Sequence, residues 1–211
     1  MAPSTIIITG GTGSLGATVA RTLETSYPGQ FHILLACRHV DDNHAETIIS
    51  FLTSKKASFS LLPLDLSDLD SVFSFVSIVK QQIQSGEIPP LTGGGIVNSA
   101  AYNTFFTGKK GKGKVGGGRD VMYTVNCLGP VLLERELLGE MLGENGATVV
   151  NVGSEANGIG RIDYFEGEEG GKEGEKVAFM EGMRRYGSCK LIILMGGFAF
   201  QRRVHEVSRS L

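Results

Sequence analysis

The sequence predicts an α/β protein built on a doubly wound parallel sheet, and three observations carry the prediction. Short apolar runs alternate along the chain with segments of helical periodicity. The runs are continuously apolar, as in strands covered on both faces by helices. A glycine turn joins the first run to the first helical segment.

Ile6-Ile7-Ile8 is a β-branched run that reads as the first strand, and Leu15, Val19 and Leu23 recur behind it at helical spacing. FHILLA (31–36) predicts the second strand and 43–54 the next helix. SFSLLPL (58–64) predicts a third strand, followed by a helix over about 68–84 that Ser67 and Asp70 open as an S-x-x-D capping box. Ile96-Val97 is a fourth short strand, 120–142 a long helix, TVVNV (148–152) a fifth strand and 177–205 a final helix. Repeated β-α units over 1–211 predict a single three-layer α/β/α domain.

Two segments interrupt the rhythm. GKKGKGKVGGG (108–118) is lysine and glycine apart from one valine, and EGEEGGKEGEK (166–176) is mainly glutamate and glycine, so neither can supply a core. They read as solvated insertions. Their opposite charge also suggests a lid in which Lys112 meets Glu169.

Bulk properties exclude several classes. With 20 basic and 22 acidic side chains the net charge is −2, which favours neither nucleic acid nor an anionic membrane. Cys37, Cys127 and Cys189 are odd in number, far apart and without ligand spacing, so the reading is reduced thiols and no metal site. The only apolar stretch near the N-terminus is the three-isoleucine run, too short for a signal segment or a membrane span, and a cytoplasmic location is the expectation.

The turn Thr9-Gly10-Gly11-Thr12-Gly13-Ser14-Leu15-Gly16 follows the first strand directly. Glycines there allow close backbone approach, and the free N–H groups of the following helix would face a diphosphate. Gly10, Thr12, Gly13, Ser14, Leu15 and Gly16 are the candidate contacts, although glycine turns also join strands to helices for steric reasons alone.

Arg38 stands at the end of the second strand, about twenty residues past the turn, where a dinucleotide fold meets the adenosine ribose. A guanidinium there offers donors to a 2′-phosphate and so favours NADP(H) over NAD. Its plainer reading is a solvated cation paired with Asp41 or Asp42. Asp65 and Leu66, after the third strand, are candidates for the adenine end, with local helix capping as the alternative for Asp65.

Tyr186 and Lys190 lie four residues apart and hence on one face of the last helix. An ammonium beside a phenol favours the phenolate, which makes Tyr186 a candidate general acid/base with a lowered pKa.

The glycine turn, Asp65, Asn98-Ser99-Ala100-Ala101, Asn126, Ser154 and the Tyr186/Lys190 pair occur in the order that resembles the short-chain dehydrogenase/reductase family, a Rossmann-type NAD(P)-binding fold. The resemblance implies Tyr186 as acid/base, Lys190 holding the nicotinamide ribose, Ser154 bonding the substrate carbonyl and Asn126 holding a water for proton relay. It also implies that Asn98, with Ala100, supports the sheet and the cofactor. For Ser154 a turn cap, and for Asn126 a structural role, stand as alternatives. The implied partner is a small carbonyl or alcohol substrate, and LIILMGGFAF (191–200) reads either as a buried helix or as similar to the helix face through which family members form homo-oligomers.

Four departures stand out. Ser14 replaces a common glycine, Ser99 and Ala101 alter the family's N-N-A-G segment, and the stretch between Ser154 and Tyr186 is long. The sequence ends at Leu211, where family members continue into two more strands, so the family domain is expected to lack its last strands and to leave strand five an apolar edge. Three readings follow: an NADP(H)-dependent carbonyl reductase or alcohol dehydrogenase, a truncated and catalytically silent NADP-binding protein, and an epimerase-like member using the same Tyr/Lys chemistry.

Overall fold

The computed structural model describes residues 4–40, 43–103, 114–165 and 179–208. They divide into two compact units, Met1–Ala101 with Leu132–Val152, and Tyr102–Val131 with Gly153–Leu211.

The first unit carries a five-stranded parallel sheet made of β1 (Ser4–Thr9), β2 (Phe31–Cys37), β3 (Ser58–Pro63), β4 (Gly95–Asn98) and β7 (Thr148–Asn151). Their order is β3-β2-β1-β4-β7, so the chain winds outward from β1 in both directions and reverses between β1 and β4. In such sheets the usual ligand position lies beyond the strand carboxyl ends at this reversal.

Continuous apolar runs build this sheet because both faces are covered. Ile6, Ile8, Ile33 and Leu35 pack with Ala20 of α1 (Ser14–Ser26) and Ile48 and Leu52 of α2 (Asn43–Ser54). Ile7 and Leu34, one residue out of phase and so on the opposite face, are fully buried as well. α3 (Leu69–Ser85) links β3 to the segment before β4, and α5 (Gly129–Met141) precedes β7. Each predicted strand, and each predicted helix other than that over 120–142, falls within a few residues of its observed span. Among the described residues β7 pairs only with β4, and Val150 is exposed on this edge.

The capping box is corrected by one residue. Asp68, not Ser67, is the N-cap of α3, and its side chain accepts from Asp70 N at 3.0 Å. Ser67 is occupied instead by Asp65, whose Oδ1 accepts from both its N–H and its hydroxyl at 2.8 and 2.7 Å.

The second unit begins with a small antiparallel ribbon, β5 (Lys114–Val115) and β6 (Arg119–Asp120), closed by Gly116–Gly118. Thus part of the lysine-glycine insertion forms a hairpin; residues 108–113 and the whole of 166–176, with the Lys112–Glu169 lid idea, lie outside the described residues. The helix expected over 120–142 is interrupted, because α4 (Val121–Tyr123) passes into a π-helical turn, Thr124–Leu128, before α5 starts. Two 3-10 turns, Glu155–Ile159 and Ile162–Phe165, and the long α6 (Phe179–Ser208) complete this unit.

The core of the second unit is Met122, Cys127 and Cys189, with Tyr102, Tyr123, Phe165, Tyr186 and Ile192 packed on it. All three cysteines are buried, and none forms a disulfide. Among the described residues no helix is long and apolar enough to cross a membrane, and no cluster of three metal-ligating side chains occurs.

Candidate active site

In the first unit the glycine turn is shaped by what a side chain would strike. Gly10 has φ +66° and lies against the residue that follows β4 by two, since a methyl at Gly10 would meet Ala100 Cα at 3.0 Å. At Gly16 a methyl would overlap the Gly10 carbonyl, with the carbonyl carbon at 2.9 Å. Gly13 is the N-cap of α1 and provides no side-chain cap. The first intrahelical bond is Ala17 N to Gly13 O at 2.8 Å, so the N–H groups of Ser14, Leu15 and Gly16 precede the helical ladder. Leu15, although apolar, is 47% exposed beside them. A helix end without a side-chain cap, reached through glycines, suits a diphosphate.

The remaining candidates of this unit differ in what their side chains already do. Arg38 is exposed just past β2, and Leu66 is buried. Asp65 spends one carboxylate oxygen on Ser67, which is the local alternative. Asn98 is buried at the end of β4 and directs its amide to protein groups, Glu134 Oε1 at 2.7 Å and Asn151 Oδ1 at 2.8 Å. Thr12 is half-buried in the turn.

In the second unit α6 places Tyr186 and Lys190 one turn apart, with Lys190 Nζ 5.6 Å from the centre of the phenol ring. Both groups are drawn out of water. Burial pushes the Tyr186 phenol above its ordinary value, and the neighbouring Cys189 adds to the rise. Burial also lowers the Lys190 ammonium. The expected lowering of Tyr186 by Lys190 is therefore corrected for the chain alone: desolvation outweighs the attraction.

Ser154 caps the 3-10 turn that follows it, accepting from Ala156 N at 3.3 Å. That turn packs directly on the backbone of α6. A methyl on Gly187 would overlap the Ala156 carbonyl, whose carbon stands 2.8 Å from it, and Gly160 is equally tight against Gly187. Arg161 N completes the junction by donating to Ser188 Oγ at 2.9 Å. Two glycines thus bring the Ser154 segment onto the helix at the residue next to Tyr186. A Ser154 hydroxyl that accepts as a cap retains its own hydrogen for donation.

Asn126 sits on the π turn, and its buried amide is fully engaged. Oδ1 accepts from Tyr102 N at 3.0 Å, and Nδ2 donates to Tyr102 O at 2.8 Å and Met122 O at 2.9 Å. Its side chain fixes the segment after Ala101, which is the structural alternative.

The family model for short chain dehydrogenase matches residues 4–164. The chain belongs to this family. The match takes in the turn, Asn126 and Ser154, and ends before Tyr186 and Lys190. Protochlorophyllide reductase B, chloroplastic, of Hordeum vulgare is 28% identical over 222 residues, which is 95% of this chain and 52% of that protein. The chain spans about half the length of the curated relatives it matches. A metagenomic short-chain oxidoreductase in complex with NADP superposes with a TM-score of 0.65 at 20% identity, over 96% of this chain and 76% of that one. NAD+-bound xylitol dehydrogenase does so at 0.61 and 17%, over 91% and 61%. The likeness to such family folds agrees with the doubly wound sheet.

Sequence reasoning missed two features of the site. One is the pair Gly160/Gly187, for which the only signal was a glycine inside Y-x-x-x-K. The other is the ion pair of Arg185, buried beside Tyr186, with Asp120, the N-cap of α4. It ties α6 to the start of the segment that carries Asn126.

Proposed function

We propose that the protein is an NADP(H)-dependent oxidoreductase that interconverts a ketone and a secondary alcohol, with Tyr186 as general acid/base. The observation that carries this reading is the glycine-mediated contact of the Ser154 turn with α6, which puts two hydroxyl donors on neighbouring backbone within one unit.

The residues of the turn fit a nicotinamide dinucleotide. A side chain at Gly10 or Gly16 would strike neighbouring backbone, and the end of α1 has no side-chain cap. Ser14, Leu15 and Gly16 would hold the diphosphate through their N–H groups, and exposed Arg38 would bind a 2′-phosphate. When bound, such a cofactor supplies or accepts the hydride.

The chain's own residues handle the proton and the oxygen. Reduction builds negative charge on the substrate oxygen, which Ser154 and Tyr186 stabilise as donors. Tyr186 gives its proton to that oxygen, and a phenol raised by burial still holds a proton to give at neutral pH. Lys190 lies over the ring one turn away and holds its orientation. The substrate is a small carbonyl or alcohol compound.

The test is NADPH titration by fluorescence, then oxidation of NADPH across a ketone panel with wild type and Tyr186→Phe. Turnover that depends on Tyr186 supports the proposal; binding with no turnover selects the silent dinucleotide-binding reading.

A further inference from the structure

Glu134 lies in α5 next to Arg135 and Glu136, which pair with each other near the surface, yet Glu134 itself is buried. Its Oε1 accepts from Asn98 Nδ2 at 2.7 Å, and the Asn151 amide bonds to the same carboxylate. Asn98 Nδ2 also donates to Asn151 Oδ1 at 2.8 Å, so the three side chains close a ring. Asn98 and Asn151 are register partners and the last residues of β4 and β7. Among the described residues Asn98 Oδ1 is buried without a hydrogen-bond partner, and the orientation of this amide rests on its two donor bonds.

A carboxylate in such a place is costly. Burial pushes the Glu134 carboxyl up, and the amides of Asn151 and Asn98 oppose that rise. An apolar or hydroxyl side chain would fill the same helix position without that cost.

The ring is one link from the glycine turn. Immediately after Asn98, Ser99 Oγ donates to Thr9 O at 2.5 Å and Ala100 N donates to Thr9 Oγ1 at 3.2 Å. Ala100 then forms the wall against which Gly10 is packed. Rotation or recession of Asn98 would move this wall and with it the rim of the turn.

We infer that Glu134 is a positioning residue for dinucleotide binding: it fixes the carboxyl ends of β4 and β7 through Asn98 and Asn151, and so holds Ser99 and Ala100 against Thr9 and Gly10. The inference rests on the dinucleotide reading of the turn given above. A residue that merely fills the core would change stability and leave the NADPH affinity of the folded protein unaltered.

The full chain serves for the test, with NADPH fluorescence titrations made at a temperature where circular dichroism shows each variant folded. Glu134→Gln keeps the shape but turns one acceptor oxygen into a donor facing an amide donor. It is expected to weaken NADPH binding about 3–30-fold, the span of typical indirect couplings, with kcat at saturating NADPH nearly unchanged. Asn151→Ala should fall in the same range. The double variant Glu134→Ala/Asn151→Ala should bind no more weakly than the worse single variant, because both remove one ring. Glu136→Ala, on the same helix but outside the ring, should bind as wild type. If Glu134→Ala does not fold, Glu134→Gln and Asn151→Ala decide the matter. A folded Glu134→Gln with wild-type affinity, or losses that multiply in the double variant, overturns the inference alone. A wild-type chain that binds no NADPH overturns the dinucleotide reading and the inference with it.

Discussion

Gly187→Ala is the most informative single substitution, because the sign of its effect depends on the junction between α6 and the Ser154 turn. In a helix interior with free space, glycine to alanine stabilises by about 1 kcal/mol. At Gly187 the added methyl would lie 2.8 Å from the Ala156 carbonyl carbon and closer still to its oxygen. Restoring a carbon contact of ~3.5 Å requires the two backbones to part by at least about 0.7 Å, and the oxygen contact requires more. Overpacking of this kind costs about 1–3 kcal/mol, which for a chain of this length lowers Tm by roughly 2–12 °C. Ser154 rides on the displaced turn, and a shift approaching 1 Å at a reacting group costs up to about 10²-fold in rate. The control is Gly196→Ala on the same helix, where the added methyl has nothing within 4 Å and should raise Tm by about 2–4 °C. Thermal unfolding and ketone-dependent NADPH oxidation are the assays. A Gly187→Ala protein as stable and as active as the Gly196→Ala control would refute the packing argument.

Other outcomes follow from the same geometry. Gly16→Ala places a methyl on the Gly10 carbonyl and should weaken NADPH binding about tenfold or more, read by fluorescence titration, with little effect on far-ultraviolet circular dichroism. Arg38→Glu removes charge-assisted donors worth ~1.5–3 kcal/mol, so NADPH affinity should fall about 10–150-fold while NADH affinity holds or rises in parallel titrations. His32 is buried between Ser58 Oγ and Ser60 Oγ at 2.8 and 2.9 Å, and burial holds its pKa below the ordinary 6.5. The unfolded chain therefore takes up the proton first, and stability should decline as pH falls through 6.5 toward the folded-state value. Urea unfolding of His32→Gln between pH 7 and pH 5 should show a shallower decline than wild type; equal slopes would exclude His32 as the source.

The middle of the sheet was legible because β1 and β2 are buried on both faces, so Ile6-Ile7-Ile8 and FHILLA announce themselves as unbroken apolar runs. The turn was legible because its glycines are required by backbone contacts that recur wherever a helix end meets a diphosphate. Other features depend on partners far away in sequence. The π turn at Thr124–Leu128 leaves no mark on apolar periodicity, since one extra residue per turn is absorbed locally. Y-x-x-x-K carries no sign of what Gly187 meets, because its partner Ala156 lies 31 residues away in sequence. Nothing in the sequence around Glu134 marks it out, and only the register of β4 with β7 brings together the two asparagines it meets. The direction of the Tyr186 shift was misjudged because one-turn spacing reports on the ammonium and says nothing of the burial that opposes it.

The most direct test of the account is ketone-dependent NADPH oxidation by wild type and Tyr186→Phe, with NADPH binding measured on both. Both proteins should bind NADPH, and turnover should drop about 10²–10⁴-fold in the variant, the usual contribution of a positioned acid/base. A variant that binds NADPH and turns over as fast as wild type would contradict the assignment of Tyr186 as the proton donor.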